Sequence, residues 1–258
     1  MKKTIVITIF FLFIFLSTSV AQTLEDVKWY TEEYPPYNYV ENGVTKGISV
    51  DLLLAVWKKA GLNKTLMDIQ VVPWARGVRI IKSIPGTCLF STTLTAERKE
   101  ILGWKYVYPI PRVTEDSINH IVAKKSKKIK FNSIDEIKKY SGNFGVIRDD
   151  IGASLLVEAG VNADKLDKTV TPESLIMKLH KGRHDVISYG FPTTVAILKK
   201  MGIDPTYYEI VYSFPMRPTG YAFHHNTDPA IIKKLQKALD DLYLDGTAEK
   251  ILHKYTNH

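Results

Sequence analysis

The hydrophobic positions of this chain alternate between two spacings, and that alternation predicts an α/β protein. Short continuous apolar runs, such as 88–90, are typical of buried strands, whereas apolar residues three and four positions apart, as from Leu52 to Ala60, indicate one buried face of a helix. Up to residue 100 the predicted order is strand, helix, strand, helix, strand and the start of a helix. Strands separated by helices lie parallel, so this half of the chain predicts a doubly wound sheet.

The predicted helices also have recognisable ends. Ser49 is expected to cap the helix that holds Leu52, and Gly61 is expected to end it. The pair Asn42-Gly43 predicts a turn ahead of that helix. These local signals support the alternation of elements.

The same alternation returns in the second half, after a stretch with a different composition. Residues 106–114 contain two prolines and no helical period, so we interpret them as a crossover into a second lobe. In that lobe Ser133 and Thr171 are expected to cap helices, the latter with Pro172 at the first helical position. Residues 215–220 are the predicted return crossing. Two lobes joined by two crossings imply a cleft that closes by hinge motion.

These crossings divide the chain. The prediction is a signal peptide at 1–21, a first lobe of 22–112 with 221–258, and a second lobe of 113–220. The C-terminal helices after Asp228 are expected to pack back on the first lobe.

The N-terminus has the features of a secretory signal peptide. Two lysines precede an apolar run from Thr4 to Leu16, and small residues at Ser19 and Ala21 predict cleavage after Ala21. The apolar run is too short for a comfortable membrane span. Because no cysteine stands at the cleavage site, no lipid anchor is expected, and the mature chain is predicted to be a soluble periplasmic protein.

Composition narrows the function classes. The formal charge is +8, and without Lys2 and Lys3 the mature chain of 237 residues carries +6, which favours anionic small molecules or partners. The densest basic run, 124–128, lacks interleaved aromatic residues, so no nucleic-acid role is expected of an exported protein. Cys88 is the only cysteine, which excludes an intramolecular disulfide. The histidines show no ligand spacing, so no metal site is predicted. No cofactor is predicted either.

The stretch 87–100 carries the strongest candidate chemistry. An apolar run predicts a buried strand that ends in hydroxyl residues, among them Ser91 and Thr93, and Arg98 lies in the opening turn of a helix. Hydroxyl donors, the free N–H groups of a helix start and a guanidinium fork together suit a carboxylate. The alternative is a capped helix whose arginine forms only a surface ion pair.

Aromatic residues follow two other predicted strands. Tyr34 comes after the strand 27–31, where Pro35 and Pro36 hold an extended loop, and Trp74 comes after 69–72. Ligands of open α/β sheets sit at the carboxyl ends of the strands, so both aromatics are candidate walls of a pocket. The alternatives are a surface tyrosine packed on proline rings and a core tryptophan.

Three motifs resemble those of a known family. They are Thr95-Ala96-Glu97-Arg98, the helix entry 47–52, and the segment 242–247 that continues to Lys254-Tyr255. With these motifs in order over the mature chain, the sequence resembles the family 3 extracellular solute-binding proteins, the polar amino-acid receptors of ABC importers. The resemblance implies a periplasmic-binding-protein-like (type II) α/β fold with two lobes, each a mostly parallel sheet flanked by helices, and two hinge crossings.

The resemblance also implies roles for individual residues. Arg98 is expected to hold the α-carboxylate of the ligand, with help from Ser91 and Thr93. Tyr34 is expected to stack on the ligand, and Trp74 to form a second aromatic wall.

Two positions depart from the pattern of the family. Where its members usually have a Gly-Thr pair at the second-lobe turn, this chain has Asp149 and Asp150, and Gly190 stands where they place an acid that binds the amino group. We therefore expect Asp149 or Asp150 to meet a cationic group, since both would repel a carboxylate. Alternatively, one of them is an N-cap and the other is exposed to solvent.

These observations predict a monomeric binding protein, not an enzyme, that captures a small carboxylate-bearing solute and delivers it to a membrane permease. The solute is expected to be an amino acid or a related compound, and no residue is assigned a catalytic role. One alternative is an exported enzyme that resembles cyclic carboxylate dehydratases, with Glu32, Glu33, Asp149 or Asp150 as the general acid. Another is a sensor that presents its closed form to a membrane receptor.

Overall fold

The computed structural model describes residues 23–110 and 119–256, whose strands form two five-stranded sheets and one hairpin. The predicted signal peptide and residues 111–118, which include the end of the predicted first crossing, lie outside this part of the chain. The strands are β1 (Lys28–Thr31), β2 (Tyr39–Glu41), β3 (Val44–Lys46), β4 (Ile69–Val71), β5 (Thr87–Thr93), β6 (Lys105–Val107), β7 (Asn119–Lys124), β8 (Phe144–Ile147), β9 (Leu166–Thr169), β10 (Val186–Gly190), β11 (Tyr208–Ser213) and β12 (Thr219–Phe223).

Eight α-helices lie between or after these strands in the described residues. They are α1 (Ile48–Lys59), α2 (Trp74–Ser83), α3 (Ile134–Lys139), α4 (Ile151–Glu158), α5 (Pro172–His180), α6 (Phe191–Lys200), α7 (Pro229–Leu244) and α8 (Thr247–Thr256). A π-helical turn covers Glu97–Ile101. None of the helices in the described residues is both long and apolar enough to cross a lipid bilayer.

The first sheet combines strands from both ends of the chain. Its order is β4-β1-β5-β12-β6, with β1 parallel to β4 and β5, and with β12 antiparallel to β5 and β6. The C-terminal helices pack on the same lobe, where Lys254 Nζ and Tyr255 Oη of α8 lie 2.7 and 2.9 Å from Asp51 Oδ2 of α1. The chain therefore leaves the first lobe after β6 and returns to it at β12, while the exact boundary at 112 and 113 stays a prediction.

The second sheet is built from one continuous segment. Its order is β11-β7-β10-β8-β9, in which β8 is parallel to β9 and β10, and β7 is antiparallel to β10 and β11. Helices α3 to α6 belong to this lobe. Ser133 caps α3 by accepting a bond from the N–H of Glu136, and Thr171 caps α5 by accepting one from the N–H of Ser174, as predicted.

Each lobe is stabilised by its own apolar core. In the first lobe Trp29 of β1 and Trp57 of α1 are fully buried, with ring centroids 5.2 Å apart in an edge-to-face arrangement. In the second lobe Phe144 of β8 is fully buried beside Tyr140, with centroids 5.5 Å apart. Aromatic side chains of this size account for much of the apolar area that folding removes from water.

The first helix begins two residues earlier than its sequence predicts. Gly47, with a φ of 121°, is the N-cap of α1, so the prediction of Ser49 as the cap is wrong. A Cβ atom at Gly47 would lie 2.3 Å from the carbonyl oxygen of Tyr37, and the N–H of Ser49 donates to that same oxygen at 2.9 Å. This close approach requires glycine at the helix start, and it depends on a residue ten positions upstream.

The predicted turn at Asn42-Gly43 has an additional consequence. It joins β2 and β3 into a short antiparallel hairpin that was not predicted from the sequence. Three-residue strands carry too little periodicity to be recognised alone.

Gly152 in the first turn of α4 is the clearest packing constraint of the second lobe. A Cβ atom there would lie 2.3 Å from the carbonyl oxygen of Ser188 in β10. Because both groups belong to the backbone of packed elements, we expect Gly152→Ala to lower the free energy of unfolding by about 1–3 kcal/mol, measured by urea denaturation.

Gly77 in α2 provides the matched control. A Cβ atom there would lie 2.8 Å from Cδ1 of Leu89 and 3.7 Å from Cγ2 of Val72, and both of these atoms are the ends of side chains and not parts of the backbone. Gly77→Ala should therefore change stability by much less than Gly152→Ala, and equal losses in the two variants would contradict the packing argument.

Candidate functional site

The carboxyl ends of the parallel strands of both lobes converge on one cleft, the position where open α/β sheets bind ligands. Its cavity, mouth included, has a volume of about 540 Å³. The walls comprise Glu32, Tyr34, Trp74, Ser91, Thr93 and Arg98 from the first lobe and Asn119, Asp150, Ile151, Leu155, Pro215 and Arg217 from the second lobe and the crossings. The structure thus brings together six of the seven residues predicted for the site. The seventh, Asp149, does not line the cavity, but its main-chain carbonyl oxygen accepts bonds from Trp74 and Arg98.

Arg98 lies at the centre of this cleft. Its side chain is 6% exposed, so it is not the surface arginine of the alternative interpretation. Nη1 donates to the carbonyl oxygen of Thr93 at 2.9 Å, and Nη2 donates to that of Asp149 at 3.3 Å. The guanidinium carbon also lies 5.2 Å from the ring centroid of Trp74 and 5.8 Å from that of Trp104. A guanidinium has five N–H donors, so these bonds orient the group and leave donors for a bound anion.

The π-helical turn explains why the side chain of Arg98 lies in the cleft. The N–H of Leu102 bonds to the carbonyl of Glu97 at 3.0 Å, five residues earlier, and the N–H of Arg98 bonds to Thr95 Oγ1 at 3.1 Å. Single π-helical turns are frequent at functional sites. Here the turn follows directly from the carboxyl end of β5 and returns the arginine side chain over that strand.

The hydroxyl residues of β5 line the cleft beside Arg98. Ser91 has a φ of 60°, and its hydroxyl donates to Asn38 Oδ1 at 2.5 Å. Asn38 is itself held by a bond from Nδ2 to the carbonyl oxygen of Glu32 at 2.8 Å. The loop after β1 and the end of β5 are therefore joined by a buried polar network that fixes the first-lobe wall.

Tyr34 fills space that the chain leaves open at Gly190. The ring of Tyr34 stacks on Tyr37 with centroids 5.4 Å apart and meets Tyr189 edge to face at 5.5 Å. A Cβ atom at Gly190 would lie only 2.2 Å from Tyr34 Oη. The phenol therefore occupies the volume that a side chain at position 190 would need, and this position supplies no acid to the cleft.

Two carboxylates instead reach the cleft from opposite lobes. Glu32 follows β1, Asp150 precedes α4, and each is 8% exposed. Burial raises the pKa of Glu32 well above its usual value, the nearby charge of Asp150 raises that pKa further, and Arg98 opposes the shift. Each carboxylate would therefore be stabilised by a cation in the cleft.

Asp149 contributes its main chain and not its carboxylate. Its side chain is exposed, while its carbonyl oxygen accepts bonds from Trp74 Nε1 at 2.7 Å and from Arg98 Nη2 at 3.3 Å. Trp74 itself lies in the first turn of α2, buried between the core and the cleft, so the core and wall interpretations both describe it.

Sequence reasoning missed several residues of the cleft. Glu32 is predicted only as a candidate general acid, although its position directly after β1 and two residues before Tyr34 also indicates a place in the cleft wall. Asn119 is the first residue of β7 and Arg217 lies in the return crossing, and no periodicity marks either of them as a cleft residue. Arg217 Nη1 lies 3.2 Å from Glu158 Oε1, so its charge is already paired within the protein.

Two α/β lobes around a cleft with charged walls define a class of binding proteins that close over a small solute. Within that class, the chain belongs to the bacterial extracellular solute-binding proteins, family 3, whose pattern matches residues 28–258. The predicted family is therefore confirmed.

The relatives agree with this assignment. The probable amino-acid-binding protein YxeM of Bacillus subtilis (strain 168) is 26% identical over 231 residues, which are 86% of this chain and 80% of that protein. ArtJ of Geobacillus stearothermophilus, an arginine-, lysine-, histidine-binding protein, superposes with a TM-score of 0.74 at 20% identity, over 90% of this chain and 96% of that chain. A histidine kinase sensor domain superposes with a TM-score of 0.71 at 20% identity, over 89% and 95% of the two chains. These superpositions confirm the predicted two-lobed fold.

The raised pKa of Glu32 predicts how stability depends on pH. The folded state holds the proton of Glu32 more tightly than the unfolded chain does, so the contribution of this residue to stability falls as pH rises above about 4.5. We expect Glu32→Gln to unfold at a temperature several degrees higher than the wild type at pH 8, with a smaller difference at pH 5.

Glu100→Gln, at an exposed carboxylate of the same lobe, is the control for this measurement. Its melting temperature should follow that of the wild type at both pH values. If Glu32→Gln melts below the wild type at pH 8, the carboxylate is stabilised by its surroundings and the inferred direction of its pKa shift is wrong.

Proposed function

We propose that this protein captures a small amino-acid-like solute in the cleft and delivers it to the permease of an ABC importer. The observation that carries the proposal is the buried guanidinium of Arg98, oriented at the centre of a cleft that both lobes line. Membership of a solute-binding family and the amino-acid-binding relatives support the same role.

The carboxylate of the solute would bind at the first-lobe wall. Arg98 offers N–H donors beyond those that bond to Thr93 and Asp149, and Ser91 and Thr93 line the cavity beside it. Charge-assisted bonds to a guanidinium are about twice as strong as bonds between neutral groups, and the fork geometry favours a planar carboxylate.

The charge balance of the cleft supports a solute with cationic groups. Glu32 and Asp150 bring two carboxylates, Arg98 brings one guanidinium, and the charge of Arg217 is paired with Glu158. A solute with one carboxylate and two cationic groups, as in a basic amino acid, would neutralise all three groups. ArtJ, which is described as binding arginine, lysine and histidine, has the same fold.

The use of the captured solute has a second candidate. Since a histidine kinase sensor domain has this fold, the closed form could be presented to a membrane receptor instead of a permease. Either use requires that the solute leaves the cleft chemically unchanged. Mass spectrometry of solutes recovered after incubation tests this requirement, and conversion to a product would favour the enzymatic alternative with Glu32 or Asp150 as the acid.

Arg98 should be indispensable for binding. A thermal-shift screen over amino acids, polyamines and organic acids identifies the solute, because a ligand at 100 times its dissociation constant stabilises the protein by about 2.7 kcal/mol. We expect Arg98→Ala to abolish the response to carboxylate solutes. Arg98→Lys keeps the charge without the fork and should weaken binding at least tenfold.

Near-normal affinity in Arg98→Ala, measured by calorimetry, would overturn the carboxylate assignment. Since Arg98 also bonds to Thr93 and Asp149, the unfolding of each variant is measured without solute first. This separates lost binding from lost folding.

The two neighbouring aspartates should behave differently. Asp150→Asn removes a carboxylate that lines the cleft and should lower affinity for a cationic solute by tenfold or more. Asp149→Asn changes only an exposed side chain, and asparagine tolerates the φ of 61° found there, so affinity should stay within about twofold of the wild type. Equal affinities in both variants, measured by calorimetry, would contradict a cationic site at Asp150.

A further inference from the structure

One carbonyl oxygen of the second lobe accepts bonds from two side chains of the first lobe. The carbonyl of Asp149, in the turn between β8 and α4, lies 2.7 Å from Trp74 Nε1 and 3.3 Å from Arg98 Nη2. Trp74 begins α2 and Arg98 lies in the π-helical turn, so both donors belong to the lobe that faces Asp149 across the cleft. These two bonds join the lobes directly.

The local structure makes this carbonyl available. The first acceptor of α4 is the carbonyl of Asp150, which receives the N–H of Ala153 at 3.1 Å, so the helix does not need the carbonyl of Asp149. Asp149 has a φ of 61°, a left-handed conformation that is uncommon for residues with a side chain. The N–H of Asp150 bonds to Ile147 at 3.3 Å and closes the turn. The turn thus presents the Asp149 carbonyl to the other lobe.

The two donors are not equivalent. Arg98 also bonds to Thr93 and lies where a ligand carboxylate would bind, so its bond to Asp149 is expected to change with occupancy. Trp74 is 3% exposed, and its indole N–H has a single donor proton, which Asp149 accepts at a short distance. The bond from Trp74 can therefore persist whether or not a ligand contacts Arg98.

We propose that the indole N–H of Trp74 and the main-chain carbonyl of Asp149 form an interlobe latch, which stabilises the closed cleft and slows the release of a bound solute. Trp74 is in this respect a positioning residue, in addition to forming part of the cleft wall. The effect on release rests on the proposed binding function, whereas the effect on closure does not.

Trp74→Phe tests the latch, because it removes the N–H donor and keeps an aromatic ring. The closed fraction is measured by double electron–electron resonance spectroscopy on nitroxides attached to Ile101→Cys and Val170→Cys, which are exposed positions of the first and second lobes. Cys88 is fully buried, so it should not react with the nitroxide reagent. The protein is first freed of bound solute by unfolding and refolding. Loss of one hydrogen bond should lower the ratio of closed to open molecules about three- to tenfold.

Two controls separate the latch from other effects of the ring. Trp104 also lies over the guanidinium of Arg98, at 5.8 Å, and donates no hydrogen bond to the second lobe within the described residues. Trp104→Phe should therefore leave the distance distribution unchanged. Asp149→Asn keeps the carbonyl and should also leave it unchanged, because the acceptor belongs to the main chain.

The kinetics of a probe solute, L-arginine, give the second measurement. In Trp74→Phe the dissociation rate constant should rise about three- to tenfold, with the association rate constant within twofold of the wild type. Failure of L-arginine to bind the wild type would contradict the proposed basic solute, and the distance measurement would still decide on the latch. Two results would overturn the latch. One is a wild type that shows only the longer nitroxide–nitroxide distance of an open cleft, and the other is a distribution of these distances in Trp74→Phe that matches the wild type.

Discussion

The burial of one guanidinium between two lobes is the constraint on which the rest of the site depends. A charge withdrawn from water is tolerated only where its surroundings replace the lost hydration. For Arg98 the replacement consists of two main-chain carbonyls, two indole rings and the negative charge of the cleft. Because the carbonyl of Asp149 belongs to the second lobe, the interactions that satisfy this charge also join the lobes. In the proposed function, ligand recognition and cleft closure therefore share a group.

The arrangement of the strands explains why so many polar groups meet at this place. In both sheets the parallel strands end at the cleft, and helix starts or tight turns follow them. Close backbone contacts then set the details. Gly152 lets α4 approach β10, and Gly190 leaves room for the hydroxyl of Tyr34. A side chain at either glycine would displace a wall of the cleft, so small residues are as important to its shape as charged ones are to its chemistry.

Much of the fold could be predicted because its signals are local. The alternation of apolar runs and helical periods predicts most strands and helices of both lobes, and Ser133 and Thr171 cap the helices assigned to them. It misses the short strands β2, β3 and β6, the last of which overlaps the predicted first crossing. Ser49 was misassigned because the start of α1 is set by the approach of Gly47 to the carbonyl of Tyr37. That contact is created by the packing of a loop on a helix, and no pattern within the helix reports it.

Local sequence is enough to predict which chemical groups stand at the ends of the strands. The hydroxyl residues and Arg98 after one apolar run, and the aromatics after two others, follow from chain order alone, since a strand and its carboxyl end are local features. The packing of the two lobes places Glu32 opposite Asp150 in the cleft, and it makes Asp149 contribute a carbonyl instead of a carboxylate. Those outcomes depend on the distance between two lobes and on one backbone dihedral angle, and neither quantity is encoded in the spacing of residues along the chain.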